Sequence, residues 1–155
     1  MMRKFVTAAL AATGLLASAG VSAQSFTYEV DIAPPTFVGG LGPDGSYGRG
    51  GTTGGPYTTT LANGDTATGT LTCVGMDQPP STSLFAVHLA CDAVATDGST
   101  RTSVLYGCNP IGEDDGPLSC VGGIEGKTGP NAGRRGSVTL HLRGENSVGT
   151  GQWYE

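Results

Sequence analysis

Apolar and polar residues alternate along short segments of this chain, and the alternation predicts β-strands. The clearest segment is SLFAVHLACDAVA, residues 83–95, in which every second residue from Phe85 to Ala93 is apolar. No segment gives a convincing helix. Similar runs occur over residues 25–33, 57–62, 66–76, 83–95, 101–108, 120–123, 137–143 and 148–154. About eight short strands favour an all-β fold, an antiparallel barrel, with a β-sandwich as the alternative.

Turn residues separate these runs. Asn63-Gly64-Asp65 is a strong hairpin signal, because Asn and Gly tolerate positive φ angles. Residues 96–99 and 144–147 provide two further turns. Residues 39–56 are dense in glycine, and we predict that they form a long flexible loop within a single β domain of residues 24–155.

The N-terminus has the pattern of an export signal. Arg3 and Lys4 precede a short apolar stretch, and Val21-Ser22-Ala23 places small residues where a signal peptidase cleaves. The stretch is too short to span a membrane, and no later segment is long and apolar enough to do so. We therefore predict a signal peptide over residues 1–23 and a secreted or periplasmic mature protein.

Composition narrows the classes of partner. Glycine accounts for 27 of the 155 residues, which suits a β protein with many tight turns. Removing residues 1–23 leaves 132 residues with six Lys and Arg against thirteen Asp and Glu, a net charge of about −7. This acidity argues against a nucleic-acid partner or an anionic lipid surface.

Four cysteines occur in a chain predicted to enter an oxidising compartment. Their even number favours two disulfides, and the absence of a C-x-x-C pair gives little support to zinc. Cys73 and Cys91 share strand faces with apolar residues, while Cys108 and Cys120 bracket an acidic loop. Among the three pairings we favour Cys73 with Cys91 and Cys108 with Cys120.

Gly126-Lys127-Thr128 is the end of a phosphate-binding loop pattern, but the pattern is incomplete. A G-x-x-x-x-G-K-[ST] motif requires glycine at position 121, which is valine. The segment instead reads as a glycine-spaced turn between two strands.

This glycine-spaced segment resembles a corner found in allene-oxide-cyclase-like barrels, the superfamily that includes the plant dirigent proteins. The family pattern is G-G-x-G-x-[FY]-A-G-x-x-G, and the similarity covers about residues 120–143. Asn131 stands where the family has its aromatic residue, and Ile124-Glu125 interrupts the opening glycines. The resemblance implies an eight-stranded barrel, with residues 149–153 in the next strand.

Candidate chemistry is sparse. The chain has no G-x-S-x-G elbow and no H-E-x-x-H motif, so we predict no catalytic set, no metal and no cofactor. Glu113-Asp114-Asp115 lacks the ligand spacing of a calcium loop, and Arg134-Arg135 reads as a surface pair rather than an anion site. His88 and His141 fall on the polar sides of their strands.

Two functions remain open. The first is an exported non-catalytic barrel that binds a small molecule in its mouth or a surface component. The second, implied by the resemblance, is a cyclase or stereochemical guide. Its candidate pocket residues are His88, Asp92, His141 and Arg143.

Overall fold

The computed structural model describes residues 24–40, 49–77, 84–112 and 116–154. The predicted signal peptide, the acidic triplet Glu113-Asp114-Asp115 and part of the predicted glycine-rich loop lie outside these residues.

The described residues form nine strands and no α-helix, so the all-β prediction is confirmed. Two three-residue 3-10 turns, Gly129–Asn131 and Gly144–Asn146, precede β8 and β9. The strands are β1 (Gln24–Val30), β2 (Thr36–Gly39), β3 (Arg49–Leu61), β4 (Thr66–Asp77), β5 (Val87–Ala95), β6 (Arg101–Pro110), β7 (Leu118–Gly126), β8 (Arg135–Leu142) and β9 (Ser147–Trp153).

Eight of the nine strands close into an antiparallel barrel. From β3 to β9, each strand pairs with its neighbour in the chain, and β1 pairs with both β9 and β3 to complete the ring. The extra strand, β2, pairs with the first part of β3. A barrel is therefore formed rather than a sandwich, since closure leaves no break between two sheets.

Alternation of residues along each strand places one set of side chains inside the barrel. Phe26 and Tyr28 on β1, Val104 and Tyr106 on β6, and Val138 and Leu140 on β8 are all buried there. The outward positions between them are mostly exposed. The interior of the barrel is thus the single core of the domain.

Both predicted disulfides are confirmed. Cys73 lies directly opposite Cys91 on β4 and β5, and Cys108 lies directly opposite Cys120 on β6 and β7. All four cysteines are buried inside the barrel. Two disulfides indicate an oxidising, extracytoplasmic environment. Among the described residues, no helix has the length and apolar character needed to cross a membrane.

Glycines opposite aromatic residues explain part of the unusual composition. The rings of Phe26 and Tyr28 lie where Cβ atoms would stand on Gly151 and Gly149 of β9. The Tyr57 ring lies across Gly69 in the same way. Each glycine gives a large ring room to lie against the sheet, so a narrow barrel can hold several aromatic side chains.

The predicted loop over residues 39–56 is wrong for Gly39, the last residue of β2, and for residues 49–56, which belong to β3. Glycine serves close strand packing in this segment: a Cβ on Gly51 would meet the Thr36 carbonyl, and one on Gly55 would meet the Asp31 carbonyl. Residues 41–48 lie outside the described residues.

The apolar alternation over residues 83–95 corresponds to an inward face only from Val87 onward. Phe85 precedes β5 and lies over Gly107, an outward position of β6, where its ring also meets the His88 ring edge-on. The alternation fails at Phe85 because the residue is not in the strand.

Candidate functional site

A cavity of about 630 Å³ opens at one end of the barrel. This end carries the β3–β4, β5–β6 and β7–β8 turns, and residues of the last two line the cavity. The cavity exists because several of the inward residues there are small, namely Thr59, Ala93, Ala95 and Thr102. The other half of the barrel is filled by the disulfides and by larger side chains such as Leu89 and Tyr106.

Aromatic rings form much of the cavity wall. Phe26 and Trp153 lie side by side with ring centroids 6.1 Å apart, and Tyr57 also lines the cavity. Tyr57 is half-buried, and no hydrogen bond to its hydroxyl is found among the described residues. Burial, together with the nearby charge of Asp97, raises the pKa of Tyr57. The wall thus combines apolar surface with a neutral hydroxyl that a ligand could bind.

Tyr28 marks the boundary between the cavity and the filled half of the barrel. Its hydroxyl lies 2.7 Å from the Tyr106 hydroxyl and donates to the Thr139 carbonyl at 2.5 Å. Since Tyr28 uses its one proton on Thr139, Tyr106 donates to Tyr28. Burial raises the pKa of Tyr28 and raises the pKa of Tyr106 to about 12. Both hydroxyls are therefore neutral at physiological pH.

Asp97 lies on the exposed rim of the cavity, in the turn between β5 and β6. Its Oδ1 accepts hydrogen bonds from the backbone N–H and the hydroxyl of Ser99. These bonds lower the pKa of the Asp97 carboxyl, so the group is ionised at neutral pH. Gly98 completes the turn with a φ of +70°.

The glycine-spaced corner ties the ends of the described chain together beside the cavity. Arg134 donates to the Gln24 and Asn131 side chains and to the Tyr154 carbonyl, and its guanidinium lies 5.8 Å from the Trp153 ring centroid. This arrangement supports a structural role for Arg134.

Other residues of the glycine-spaced corner also have interactions within the protein. Lys127 pairs with Glu125 at 2.9 Å, and the backbone N–H groups of Lys127 and Thr128 donate to the Arg101 carbonyl. Arg135 lies directly opposite Glu125 in the sheet. The end of the phosphate-loop pattern is therefore part of the connection from β7 to β8, held by hydrogen bonds to the start of β6.

None of the four polar residues suggested by the sequence lines the cavity. His88 is exposed on the outer surface of β5, and the partly exposed His141 accepts a hydrogen bond at 3.1 Å from the exposed Arg143. Strands β6 and β7 separate β5 from β8, so the two histidines do not converge.

Asp92, the fourth candidate, lies on the outer side of β5. It forms an ion pair with Arg101 and accepts a hydrogen bond from Ser103. The hydrogen bond from Arg101 lowers the pKa of the Asp92 carboxyl. An outward aspartate with these partners contributes to the surface of the barrel rather than to the cavity.

Several polar groups do line the cavity, among them Tyr28, Tyr57, Asp97 and Thr102, and they were not identified as site residues from the sequence. A signal existed for the tyrosines, since Tyr28 falls on the apolar side of its alternating segment. No group of three His, Cys, Asp or Glu side chains among the described residues could hold a metal ion.

Comparisons with protein-family models, with curated proteins and with solved structures found no match for this chain. The part of the resemblance that the structure supports is the eight-stranded antiparallel barrel.

Proposed function

We propose that this protein is an exported, non-catalytic module that binds a small molecule in the barrel cavity. The observation that carries the proposal is the cavity itself, about 630 Å³ in volume and walled by Phe26, Tyr57 and Trp153. Small-molecule sites in proteins usually measure roughly 300–1,000 Å³ and combine apolar walls with a few polar groups.

The barrel supports binding by holding the walls in place before a ligand arrives. The sheet is closed, and the disulfides join β4 to β5 and β6 to β7. A wall that is already ordered loses little conformational entropy on binding, which improves affinity.

The lining supports binding over catalysis. Asp97 is the one charged side chain among the described residues that line the cavity, and it lies on the exposed rim. The Tyr28 hydroxyl is neutral and already engaged with Tyr106 and Thr139. Export is supported by the disulfides, and the signal peptide over residues 1–23 remains a prediction.

Trp153 allows a direct test because it is the only tryptophan of the chain and lines the cavity. We expect N-phenyl-1-naphthylamine, a neutral apolar dye, to bind with saturation, to fluoresce more strongly and to quench Trp153 by energy transfer. Failure of the folded protein to bind this dye would overturn the proposal.

A matched pair of variants on β5 locates the dye. Ala93→Phe fills the cavity and is expected to weaken binding at least about tenfold, whereas Ala90→Phe adds the same ring on the exposed outer face and leaves binding unchanged. Far-UV circular dichroism checks that both variants fold. Thr59→Phe blocks the cavity from β3 if Ala93→Phe does not fold. Equal binding by the blocked and control variants would place the dye elsewhere.

The rival function is the cyclase or stereochemical guide that the glycine-corner resemblance implies. It would use the same cavity, with the Tyr57 hydroxyl as a neutral hydrogen-bond donor, since burial raises the pKa of Tyr57 and the Tyr28 proton is already donated to the Thr139 carbonyl. Native mass spectrometry of protein purified from its own host separates the two functions. A binding module releases its ligand unchanged after incubation, whereas a cyclase converts it to an isomer that chiral chromatography resolves.

A further inference from the structure

The charge of the ligand can be inferred from the charges around the cavity, and this inference rests on the proposed function. Apart from Asp97, the described lining consists of apolar, aromatic, hydroxyl and amide side chains. A buried anion would find no cation there to replace its hydration, which is costly. Aromatic faces such as those of Tyr57 and Phe26 attract cations instead.

Asp97 provides a negative charge at the entrance. Both of its hydrogen bonds from Ser99 reach Oδ1, and no hydrogen bond to Oδ2 is found among the described residues. Asp97 and Tyr57 both line the cavity, and the charge of Asp97 contributes to the raised pKa of the Tyr57 hydroxyl. An entering group therefore meets a carboxylate oxygen and a neutral tyrosine hydroxyl together.

Three of the cationic side chains at this end of the barrel already have partners, and a fourth, Arg135, is exposed on the outer face opposite Glu125. Arg101 pairs with Asp92, and Lys127 pairs with Glu125. Arg134 donates hydrogen bonds to the side chains of Gln24 and Asn131 and to the backbone carbonyl of Tyr154. They do not line the cavity. The chain as a whole carries a net charge of −5, which adds a weak long-range attraction for cations.

We infer that the cavity selects ligands with an apolar or aromatic body and a protonated amine, the amine lying at the rim beside Asp97 and Tyr57. A carboxylate attached to the same apolar body is disfavoured at this position. A hydroxyl on that body gives intermediate affinity, because it can bond to Asp97 without contributing a charge.

Three probes with one shared ring system test the inference. They are 1-naphthylmethylamine, 1-naphthylmethanol and 1-naphthylacetate, which are cationic, neutral and anionic at pH 7. Each is titrated against protein loaded with N-phenyl-1-naphthylamine, and loss of dye fluorescence reports displacement. We expect affinity to fall in the order amine, alcohol, carboxylate, with about a tenfold gap between the first and the last.

Asp97→Asn tests the source of the preference. Asparagine keeps the Oδ1 acceptor for Ser99, so the turn is retained, and the gap between amine and carboxylate should fall to about twofold. The control is Asp65→Asn, which removes one negative charge from the neighbouring β3–β4 turn without altering the cavity lining. The preference of the wild-type protein for the amine over the carboxylate should also become smaller when the salt concentration rises from 20 to 300 mM, because salt screens the exposed charge of Asp97.

The outcomes separate the two proposals. If neither the dye nor any probe binds the folded protein, the proposed function fails. If the three probes bind equally while the dye is displaced, binding stands and the charge inference is overturned. Stronger binding of the carboxylate would overturn the charge inference, and an unchanged preference in Asp97→Asn would exclude Asp97 as its source.

Discussion

The Tyr28 hydroxyl joins two sides of the barrel interior, and removing it should cost much more than removing its partner. Tyr28 on β1 accepts from Tyr106 on β6 and donates to the Thr139 carbonyl on β8. In Tyr28→Phe the Tyr106 hydroxyl stays buried without its acceptor. In Tyr106→Phe the Tyr28 hydroxyl still donates to Thr139. The perturbation is therefore asymmetric although each substitution removes one oxygen.

The magnitudes follow from counting the bonds. Tyr106→Phe loses one hydrogen bond, worth about 1 kcal/mol of unfolding free energy. Tyr28→Phe loses two and strands a buried hydroxyl, and we expect a loss of about 3 kcal/mol. The double variant has no stranded hydroxyl and should lose about 2 kcal/mol, so the two substitutions are non-additive by about 2 kcal/mol.

Urea unfolding followed by Trp153 fluorescence measures all three variants, since Trp153 is buried in the native barrel. Tyr57→Phe is the control, because no hydrogen bond of the Tyr57 hydroxyl is found among the described residues, and it should change stability by less than about 0.5 kcal/mol. Equal losses for Tyr28→Phe and Tyr106→Phe, or additive losses in the double variant, would refute this hydrogen-bond direction.

Three further predictions concern the glycines, the disulfides and alkaline pH. Gly151→Ala places a methyl group where the Phe26 ring lies and should lower the unfolding free energy by about 2 kcal/mol. Gly123→Ala is the control: its new Cβ would have no heavy atom of another strand closer than 3.9 Å, so stability in the same urea assay should not change. Replacing either cysteine pair by alanine should cost about 3 kcal/mol, and a loss below about 1 kcal/mol would contradict the cross-link estimate. Because the pKa of Tyr106 is raised from 10.0 to about 12, the unfolded chain ionises first and stability falls as pH rises through this range. Tyr106 alone should account for about 2 kcal/mol by pH 12, and Tyr106→Phe should make the profile shallower.

Local pattern located the eight barrel strands and several of their turns, but not β2 or the first part of β3. Alternation of apolar residues identified the eight barrel strands, because the side-chain period of a strand is two wherever one face is buried. The Asn63-Gly64-Asp65 turn was also predicted, and Gly64 has the expected positive φ of 89°. The cysteine pairing was predictable because Cys73 and Cys91 lie on adjacent antiparallel strands at matching heights.

The same reasoning failed where glycine serves packing between strands. Residues 49–56 resemble a linker in composition, yet they form part of β3, where Gly55 allows the Asp31 backbone to approach. Glycine content alone does not distinguish a flexible segment from a closely packed one. The difference depends on the partner strand, which the local sequence does not contain.

The sequence by itself determined the strand pattern, the inward faces and the cysteine pairs, since each follows from neighbouring residues or from consecutive strands. Only the tertiary structure decided the cavity. Its depth depends on Tyr28 meeting Tyr106, which is 78 positions away, and on small residues such as Ala93 gathering at one end of the barrel. Closure of β1 onto both β3 and β9 brings these distant positions together and leaves His88 and His141 outside.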